Sequence, residues 1–501
     1  MVFPLKKAMS STCWTAINCV LLAASCALAS SCIADNQLPP ELQASLRAQG
    51  IKQQEIGVVV MAERDGHLRL SHLARRAMSP ASTLKTLTTI AALDTLGPAF
   101  HWKTAFLTEQ SPADGVLNGA LYLRGGAEPN LNWEKLGVML REIYAQGIHH
   151  INGDLIIDRR FFNPTRIDLN VAPFDSTPTQ YYNVIPDAML VSANLIDLQL
   201  SSDRDKVAVQ FLPPLDGVQI QSQLQLVDEN CAEWDEEWPV PTVVMEAGNP
   251  TVILNGTFPR GCRNQTSTNI LDRNLYIERL IRRLWREMGG QWNGVVRDGA
   301  TPAQAQIVSE HVSESLAEIV RIINKRSDNT MARDLYLTLG AQAKTKDSEL
   351  TLNLAQQSVR QWLHQQHIDD TGLVLENGSG LSRIERISPL QLAQVLRAAA
   401  GSNWSAEFKS SLPIFGVDGT MAKSHSNIEL GAARIKGGTL NNTSAIAGYV
   451  RDKDGENWIV VGIINRPDAA AGRLVLHDLI EWVATSSEQT SNTAKTKPVI
   501  H

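Results

Sequence analysis

Ser82 and Lys85 are the first residues along this chain whose types and spacing could do chemistry. Residues three apart on a helix share one face, so the hydroxyl and the amino group can touch. Pro80 suits the first turn of a helix, where free N–H groups and the positive end of the helix dipole favour negative charge. A neutral lysine there would accept the hydroxyl proton, and a charged one would stabilise the alkoxide. Either state makes Ser82 a candidate nucleophile.

Two further polar motifs follow at long distances along the chain. Ser327-Asp328-Asn329 stands directly before a helical run, and Lys436-Gly437-Gly438-Thr439 stands shortly before a strand near the C-terminus. Each motif alone has an ordinary structural explanation: a helix cap, a second helix cap, and a glycine-bearing strand with a surface lysine. Their order, S-x-x-K, S-D-N and K-x-G, is typical of active-site-serine enzymes that react with penicillin.

The elements that must position these motifs are two hairpins and several helices. Ile56–Ala62 and Leu68–Leu73 flank a turn at Asp65-Gly66, and Ala445–Val450 pairs in the same way with Trp458–Ile464. These runs are mostly apolar, which indicates central strands of a sheet covered on both faces. Apolar periodicity and capping residues predict helices at Thr83–Leu96, Leu275–Met288, Ser315–Lys325, Thr330–Leu339, Leu350–His364, Pro389–Ala399 and Arg473–Thr485.

The chain is long enough for two or three packed domains. It has 501 residues, of which 43% are hydrophobic and 20% charged. Between residues 99 and 302 short strands alternate with proline-rich turns, so we predict one or two inserted domains there. The predicted order is a signal peptide at 1–34, a first catalytic-domain segment at 35–98, the insertion, a second catalytic-domain segment at 303–485, and a disordered tail at 486–501.

The N-terminus has the three regions of a secretory signal. Lys6 and Lys7 precede the apolar run Ala16–Ala29, and small residues allow cleavage after Ala29 or Ala34. The run is short for a membrane span, which needs about 20 apolar residues. We therefore expect an exported, periplasmic protein with at most peripheral membrane association.

The cysteine positions predict a disulfide, and the net charge argues against one class of partner. Four of the six cysteines lie in the predicted leader, and the remaining Cys231 and Cys262 most simply form one disulfide in an exported protein. The formal net charge is −6, without clustered lysine or arginine, so a nucleic-acid partner is not expected.

The three motifs, together with Gly378–Arg383, Leu412–Met421 and Ala447–Tyr449, resemble the class C low-molecular-mass penicillin-binding proteins. These are serine-type D-alanyl-D-alanine carboxypeptidases and endopeptidases. The resemblance implies an α+β fold with a β-lactamase/transpeptidase-like catalytic domain, in which helices cover an antiparallel sheet. It also implies a large inserted region that forms one or two mixed α/β subdomains, which fits the long separation of Lys85 and Ser327.

The resemblance implies a catalytic role for each of four residues. Ser82 would attack the D-Ala-D-Ala carbonyl of a peptidoglycan peptide and carry the acyl group, with Lys85 as the base. Ser327 would relay a proton to the departing D-amino acid, and Asn329 would hold the substrate amide. β-Lactam antibiotics would acylate the same serine as covalent inhibitors, and no metal or organic cofactor is needed.

The resemblance also implies a substrate-binding strand. Lys436 would fix the substrate carboxylate, Gly438 belongs to the same motif, and the N–H groups of Ser82 and Thr439 would form the oxyanion hole. The family usually has threonine where this chain has Gly437, so we expect weaker or altered carboxypeptidase activity. Arg333 stands where the family commonly has glutamate, and we expect its effect to be local.

The sequence argues against two other classes of hydrolase and leaves two alternative functions open. The sequence has no H-E-x-x-H motif for a metallohydrolase and no G-x-S-x-G elbow for a Ser-His-Asp hydrolase. One alternative is a weakly active or inactive cell-wall-binding or scaffolding homologue, with Lys-Gly-Gly in place of Lys-Thr-Gly as its mark. A second alternative is a β-lactamase or another acyl hydrolase on the same fold.

Overall fold

The computed structural model describes residues 37–232, 234, 239–424 and 428–486. The predicted signal peptide with its four cysteines, and the tail beyond Ser486, lie outside the described residues. The described α-helices are α1 Pro40–Ala48, α2 Lys85–Leu96, α3 Trp133–Ala145, α4 Arg273–Glu287, α5 Leu316–Arg326, α6 Asn329–Ala343, α7 Thr351–Gln365, α8 Pro389–Gly401, α9 Ser405–Ser411 and α10 Gly472–Thr485.

The described strands alternate with these helices along the chain. They are β1 Ile56–Ala62, β2 Leu68–His72, β3 Lys103–Thr108, β4 Val116–Leu117, β5 Leu121–Arg124, β6 His150–Ile151, β7 Leu155–Asp158, β8 Ile196–Ser202, β9 Val207–Leu212, β10 Gln219–Ser222, β11 Gln225–Val227, β12 Thr242–Glu246, β13 Asn249–Leu254, β14 Thr257–Pro259, β15 Arg263–Thr268, β16 Gln291–Trp292, β17 Val296–Asp298, β18 Gln306–Val312, β19 Ala433–Leu440, β20 Thr443–Arg451 and β21 Asn457–Asn465.

An antiparallel five-stranded sheet, in the order β19-β20-β21-β1-β2, forms the centre of the catalytic domain. Side chains alternate between its faces, as the pleat requires. Val59 faces the core that contains α2, α5, α6 and α8, while Val58 and Val60 face the core of α1 and α10. The sheet is therefore covered on both sides, and both predicted hairpins and the predicted fold class are confirmed. The prediction of central strands is wrong for Leu68–Leu73, because β2 lies at the edge of the sheet.

Helix α2 lies at the centre of the larger core. All nine residues from Lys85 to Leu93 are buried, and the helix packs against α5, α6, α7 and α8. A helix that is buried on every side has no polar face, so the spacing of its apolar residues does not predict how it is oriented. Packing against the neighbouring helices sets its position instead. This burial places the amino group of Lys85 away from bulk water.

The region between the two halves of the central sheet has its own sheets and core. A mixed five-stranded sheet has the order β17-β7-β5-β3-β18, and smaller sheets pack with it around α3 and α4. Cys231 and Cys262 are joined by a disulfide in this region. Since β18 pairs with β3, with Gln306 opposite Thr108, we propose that the insertion ends after β18 rather than at residue 302.

Helix boundaries differ in places from those that the sequence predicts. The helix expected at Thr83–Leu96 begins with a 3₁₀ turn, Ala81–Leu84, and becomes α-helical at Lys85. Ala81 has a φ of 46°, in the left-handed region, so the chain enters this turn sharply rather than through a regular first helical turn. Helices α1, α3 and α9 were not predicted from the sequence.

No helix within the described parts of the chain combines the length and the apolar character that crossing a membrane requires.

Gly340 allows α6 to cross α7 at very short range. A Cβ at Gly340 would lie 2.1 Å from the carbonyl oxygen of Thr351 and 2.6 Å from the amide nitrogen of Ala355. Both are backbone atoms, so the crossing itself would have to open. A glycine is therefore required inside a helix where alanine is normally the better residue.

We expect Gly340→Ala to lower the free energy of unfolding by about 1–3 kcal/mol, the usual cost of overpacking. Gly401→Ala, at the end of α8, is the matched control because a Cβ there meets nothing within 4 Å. That change should leave stability unchanged or raise it by up to about 1 kcal/mol. Urea unfolding of both variants measures the difference, and equal effects of the two substitutions would contradict the close crossing.

Candidate active site

The candidate nucleophile lies in the 3₁₀ turn that leads into α2. Ser82 follows Pro80 and Ala81, and the hydroxyl of Thr83 donates a hydrogen bond to the carbonyl of Pro80 at 2.7 Å. Lys85 is the first residue of α2 and is fully buried. The turn thus holds the serine at the surface of a cleft while the lysine beside it is inside the protein.

The amino group of Lys85 has three neighbours. Its Nζ lies 2.9 Å from Ser82 Oγ, 2.7 Å from Asn329 Oδ1 and 2.6 Å from the carbonyl oxygen of Ser379. An amide oxygen and a peptide carbonyl can only accept hydrogen bonds, whereas a hydroxyl can donate or accept. A neutral amine would therefore use its two N–H groups on Asn329 and Ser379, and its lone pair would accept the proton of Ser82.

Burial favours this neutral state. Burial, and then the nearby positive charge of Lys436, hold the pKa of Lys85 well below the usual range of lysine, although Asp328 acts in the opposite direction. Taking a charged amine out of water costs free energy unless a counter-ion replaces the lost hydration. The hydrogen-bond partners of Lys85 Nζ are neutral, so none of them is such a counter-ion.

The junction of α5 and α6 supplies the second motif. Ser327 follows α5 with a φ of 61°, in the left-handed region common where helices end. Asp328 then caps α6, because its carboxylate accepts a hydrogen bond from the N–H of Met331 at 2.8 Å. Asn329 opens α6, and its Nδ2 donates to the carbonyl of Tyr182 at 3.1 Å. The inserted region therefore contacts the site directly.

Strand β19 brings the third motif to the same place. Lys436 Nζ lies 2.8 Å from Ser327 Oγ and donates to the carbonyl of Gly437 at 2.7 Å. Burial lowers the pKa of Lys436 to about 7. At neutral pH this amine can thus exist in either protonation state, which suits a group that exchanges protons with Ser327.

Two glycines let backbone segments approach the nucleophile turn. A Cβ at Gly438 would lie 2.9 Å from both the amide nitrogen of Ser82 and the carbonyl of Pro80. A Cβ at Gly380, whose φ is 83°, would lie 1.9 Å from the carbonyl of Ala81. Any side chain at either position would push the turn away, so the strand and the loop can meet it only through glycine.

The predicted residues of all three motifs converge. Ser82, Ser327, Asn329 and Thr439 line one cleft of about 880 Å³, and Lys85 and Lys436 lie beneath its surface. Gly438 lies between Lys436 and Thr439 against the serine turn. The insertion also lines the cleft, through Phe174, Asp175, Tyr181 and Tyr182.

Two anchors of the site were missed by sequence reasoning. The fully buried carboxylate of Glu385 accepts hydrogen bonds from four backbone N–H groups of the loop that carries Ser379, at 2.9–3.1 Å. Lys325 forms an ion pair with Asp418 at 2.6 Å, two residues before Ser327. Both carboxylates lie in or beside stretches that resemble the family, but nothing in their sequence surroundings shows what they bind.

The side chain of Met421 lies where a side chain at Gly437 would project. A Cβ at Gly437 would lie 2.4 Å from the terminal methyl group of Met421, the end of a flexible side chain. The space that a threonine would need on this strand is thus occupied by methionine from the loop after α9.

The fold and the site define a serine enzyme of the β-lactamase/transpeptidase-like class. A family model described as the D-Ala-D-Ala carboxypeptidase 3 (S13) family matches residues 38–486, and the chain belongs to this family of serine-type peptidases. The resemblance drawn from the motifs is confirmed.

Individual proteins that are similar to this chain carry names consistent with the same family. The D-alanyl-D-alanine carboxypeptidase DacB of Haemophilus influenzae is 27% identical over 77% of this chain and 80% of its own. A D-alanyl-D-alanine carboxypeptidase of Actinomadura sp. (strain R39) is 27% identical over 92% of this chain and 87% of its own. The crystal structure of penicillin binding protein 4 from Haemophilus influenzae has a TM-score of 0.73 at 23% identity, and the match covers 89% of this chain and 99% of that chain, which shows a shared fold.

The lowered pKa of Lys436 has a consequence for stability. Between about pH 7 and the usual lysine pKa of about 10.4, the folded chain binds fewer protons at this residue than the unfolded chain does. The contribution of Lys436 to stability therefore rises with pH across that window.

We expect Lys436→Met to have a higher free energy of unfolding than the wild type at neutral pH. This difference should become smaller as the pH rises, by up to about 1.4 kcal/mol for each pH unit. Urea unfolding between about pH 7 and pH 9 measures this difference. Lys423→Met, which removes an exposed lysine, corrects for general charge effects. A difference that does not change with pH would show that Lys436 is not forced toward its neutral form.

Proposed function

We propose that the chain is a D-Ala-D-Ala carboxypeptidase and endopeptidase that cleaves peptidoglycan stem peptides through an acyl-enzyme on Ser82. The observation that carries the proposal is the arrangement around Lys85. Two acceptors, Asn329 Oδ1 and the Ser379 carbonyl, take up the N–H groups of a neutral amine, so its lone pair faces the serine hydroxyl at 2.9 Å. This is the geometry that a general base needs.

Acylation begins when Ser82 Oγ attacks the carbonyl carbon of the penultimate D-alanine. The serine proton passes to Lys85, and a tetrahedral intermediate forms. We propose that the N–H groups of Ser82 and Thr439 stabilise its oxyanion, and the close packing of β19 against the serine turn at Gly438 supports this role. Asn329 uses one N–H on Tyr182, and its other N–H is available to the substrate amide.

Departure of the amine completes the first half of the reaction. Ser327 passes a proton to the nitrogen of the leaving D-amino acid as the C–N bond breaks, and Lys436 at 2.8 Å replaces that proton. Water then attacks the acyl carbon and passes a proton through Ser327 to Lys436, while Lys85 returns the serine proton to Ser82 Oγ as the ester bond breaks and the shortened peptide leaves. Lys85 and Lys436 have then returned to their starting protonation states and are ready for the next cycle.

Recognition of the terminal carboxylate falls to Lys436 and Thr439. Thr439 is exposed in the cleft and stands two residues after Gly437 on the same strand, so its hydroxyl takes the place of the usual threonine. This arrangement holds the carboxylate less firmly, and we infer that internal cross-links are accepted beside chain ends.

The proposal also includes acylation by β-lactams and an exported location. One relative of known structure, penicillin binding protein 4 of Haemophilus influenzae, has been solved in complex with a β-lactam. We propose that β-lactams acylate Ser82 in the same cleft, and that the protein works in the periplasm. A scaffolding role without turnover gains no support, because the residues of all three motifs meet in one cleft.

Labelling by a fluorescent penicillin tests the nucleophile. We expect the wild type to form a lasting adduct, Ser82→Ala to form none, and the control Ser410→Ala, which changes an exposed serine of α9, to label normally. Incubation with cross-linked muropeptides, followed by mass analysis, should show both loss of D-alanine and opening of cross-links. Labelling without any product would favour the binding role, and rapid loss of the label would favour a β-lactamase.

The contact between Gly437 and Met421 predicts a paired effect. We expect Gly437→Thr alone to slow acylation at least about fivefold, the effect of about 1 kcal/mol of overpacking at the site. Met421→Ala removes the obstructing methyl group, so the double variant should recover the wild-type rate and release D-alanine faster than Met421→Ala alone. Stopped-flow acylation and D-alanine release measure both steps. An equal loss in the single and the double variant would contradict this account.

A further inference from the structure

A second cavity, of about 850 Å³, lies behind the catalytic cleft. The segment 163–174 of the insertion covers it, and α6 and the start of α7 form its floor. Its walls are largely apolar, with side chains such as Ile167, Leu337 and Leu352. Its size is that of a pocket for a small organic ligand, about 300–1,000 Å³. Phe174, Leu381 and Arg383 separate it from the cleft and line both spaces.

Arg333 of α6 lines this cavity and is only 8% exposed. Its guanidinium donates to the carbonyl oxygens of Val184 and Leu381, and its Nε is buried without a hydrogen-bond partner. Among the described residues no carboxylate forms an ion pair with it; Glu385 and Glu376 act only from a distance. Arginine stays protonated in proteins, so this is a buried positive charge without a directly contacting carboxylate, although Glu376 of the same cavity and Glu385 attract it from a distance.

The other buried arginines of the cavity differ from Arg333 in this respect. Arg166 forms ion pairs with Asp168 and Asp272, and Arg273 forms an ion pair with Asp187. An unpaired buried charge is strongly destabilising, and proteins rarely keep one without a partner. The charge of Arg333 is thus available to an anion in the cavity.

Two more polar atoms of the cavity wall are buried and unpartnered. They are the hydroxyl of Tyr336, a residue that is 1% exposed, and the side-chain oxygen of Asn183. Tyr336 is one helical turn from Arg333, so the two side chains lie on the same side of α6. A phenol and a guanidinium together can supply two donors to a carboxylate once the Tyr336 hydroxyl, which is shielded from solvent in this structure, turns toward the cavity, while the apolar walls accept a hydrocarbon body.

We propose that this cavity binds a small carboxylate with an apolar body, and that Arg333 and Tyr336 hold its carboxylate group. The site is separate from Ser82, so the proposal does not depend on the catalytic function. Arg333, which was expected to have only a local effect, connects the insertion to the loop of Ser379 and gives the cavity its charge.

Calorimetric titration with decanoate, below its micelle concentration, tests the proposal. We expect one site in the wild-type chain, no binding of decyltrimethylammonium, and an affinity for decanoate at least about tenfold lower in Arg333→Gln. Arg64→Gln is the matched control, because Arg64 is an exposed arginine outside the cavity. Binding should persist after Ser82 has been acylated with benzylpenicillin, which separates this cavity from the cleft.

A second pair of variants keeps the test independent of folding defects at Arg333. Leu169 lines the cavity and is 54% exposed, so charged residues are tolerated there. Leu169→Glu should weaken decanoate binding, whereas Leu169→Lys should preserve or strengthen it. Equal binding by these two variants, equal binding of the cationic probe, or loss of decanoate binding on acylation of Ser82 would each overturn the proposal.

Discussion

Burial of the Lys85 amino group against Ser82 is the interaction on which the rest of the site depends. An exposed lysine would be protonated at neutral pH and could not accept the serine proton. Here α2 lies at the centre of the core, so Lys85 is out of water and its lone pair is directed by acceptors from two other segments. The reactivity that we propose for Ser82 would thus arise from packing as much as from the chemical identity of the residues.

The same constraint explains why distant segments of the chain must meet so closely. Asn329 comes from α6, the carbonyl of Ser379 from a loop clamped by Glu385, and Lys436 from the edge strand β19. Each segment has to approach within hydrogen-bond distance of the turn that follows Pro80. Glycines at 380 and 438 make that approach possible, because any side chain there would separate the backbones.

Much of the site could be predicted, since the chemistry resides in side chains whose order along the chain is informative. Ser82, Lys85, Ser327, Asn329 and Lys436 were predicted on that basis, and the structure brings them together. The carbonyl of Ser379 could not be found in this way, because a backbone group carries no signal of residue type. Two further features depend on tertiary packing between segments far apart in sequence. They are the contact of Gly437 with Met421 and the lack, among the described residues, of an ion-pair partner for Arg333.

The most direct measurement is the pH dependence of the acylation rate constant with benzylpenicillin in the wild-type chain. If Lys85 is a buried neutral base, the rise of the rate with pH should end well below the usual lysine pKa of about 10.4, and the rate should fall again where Lys436 loses the proton that it passes to Ser327. A rate that keeps rising tenfold per pH unit up to that value would mean that Lys85 titrates as an ordinary lysine. Such a result would contradict the account.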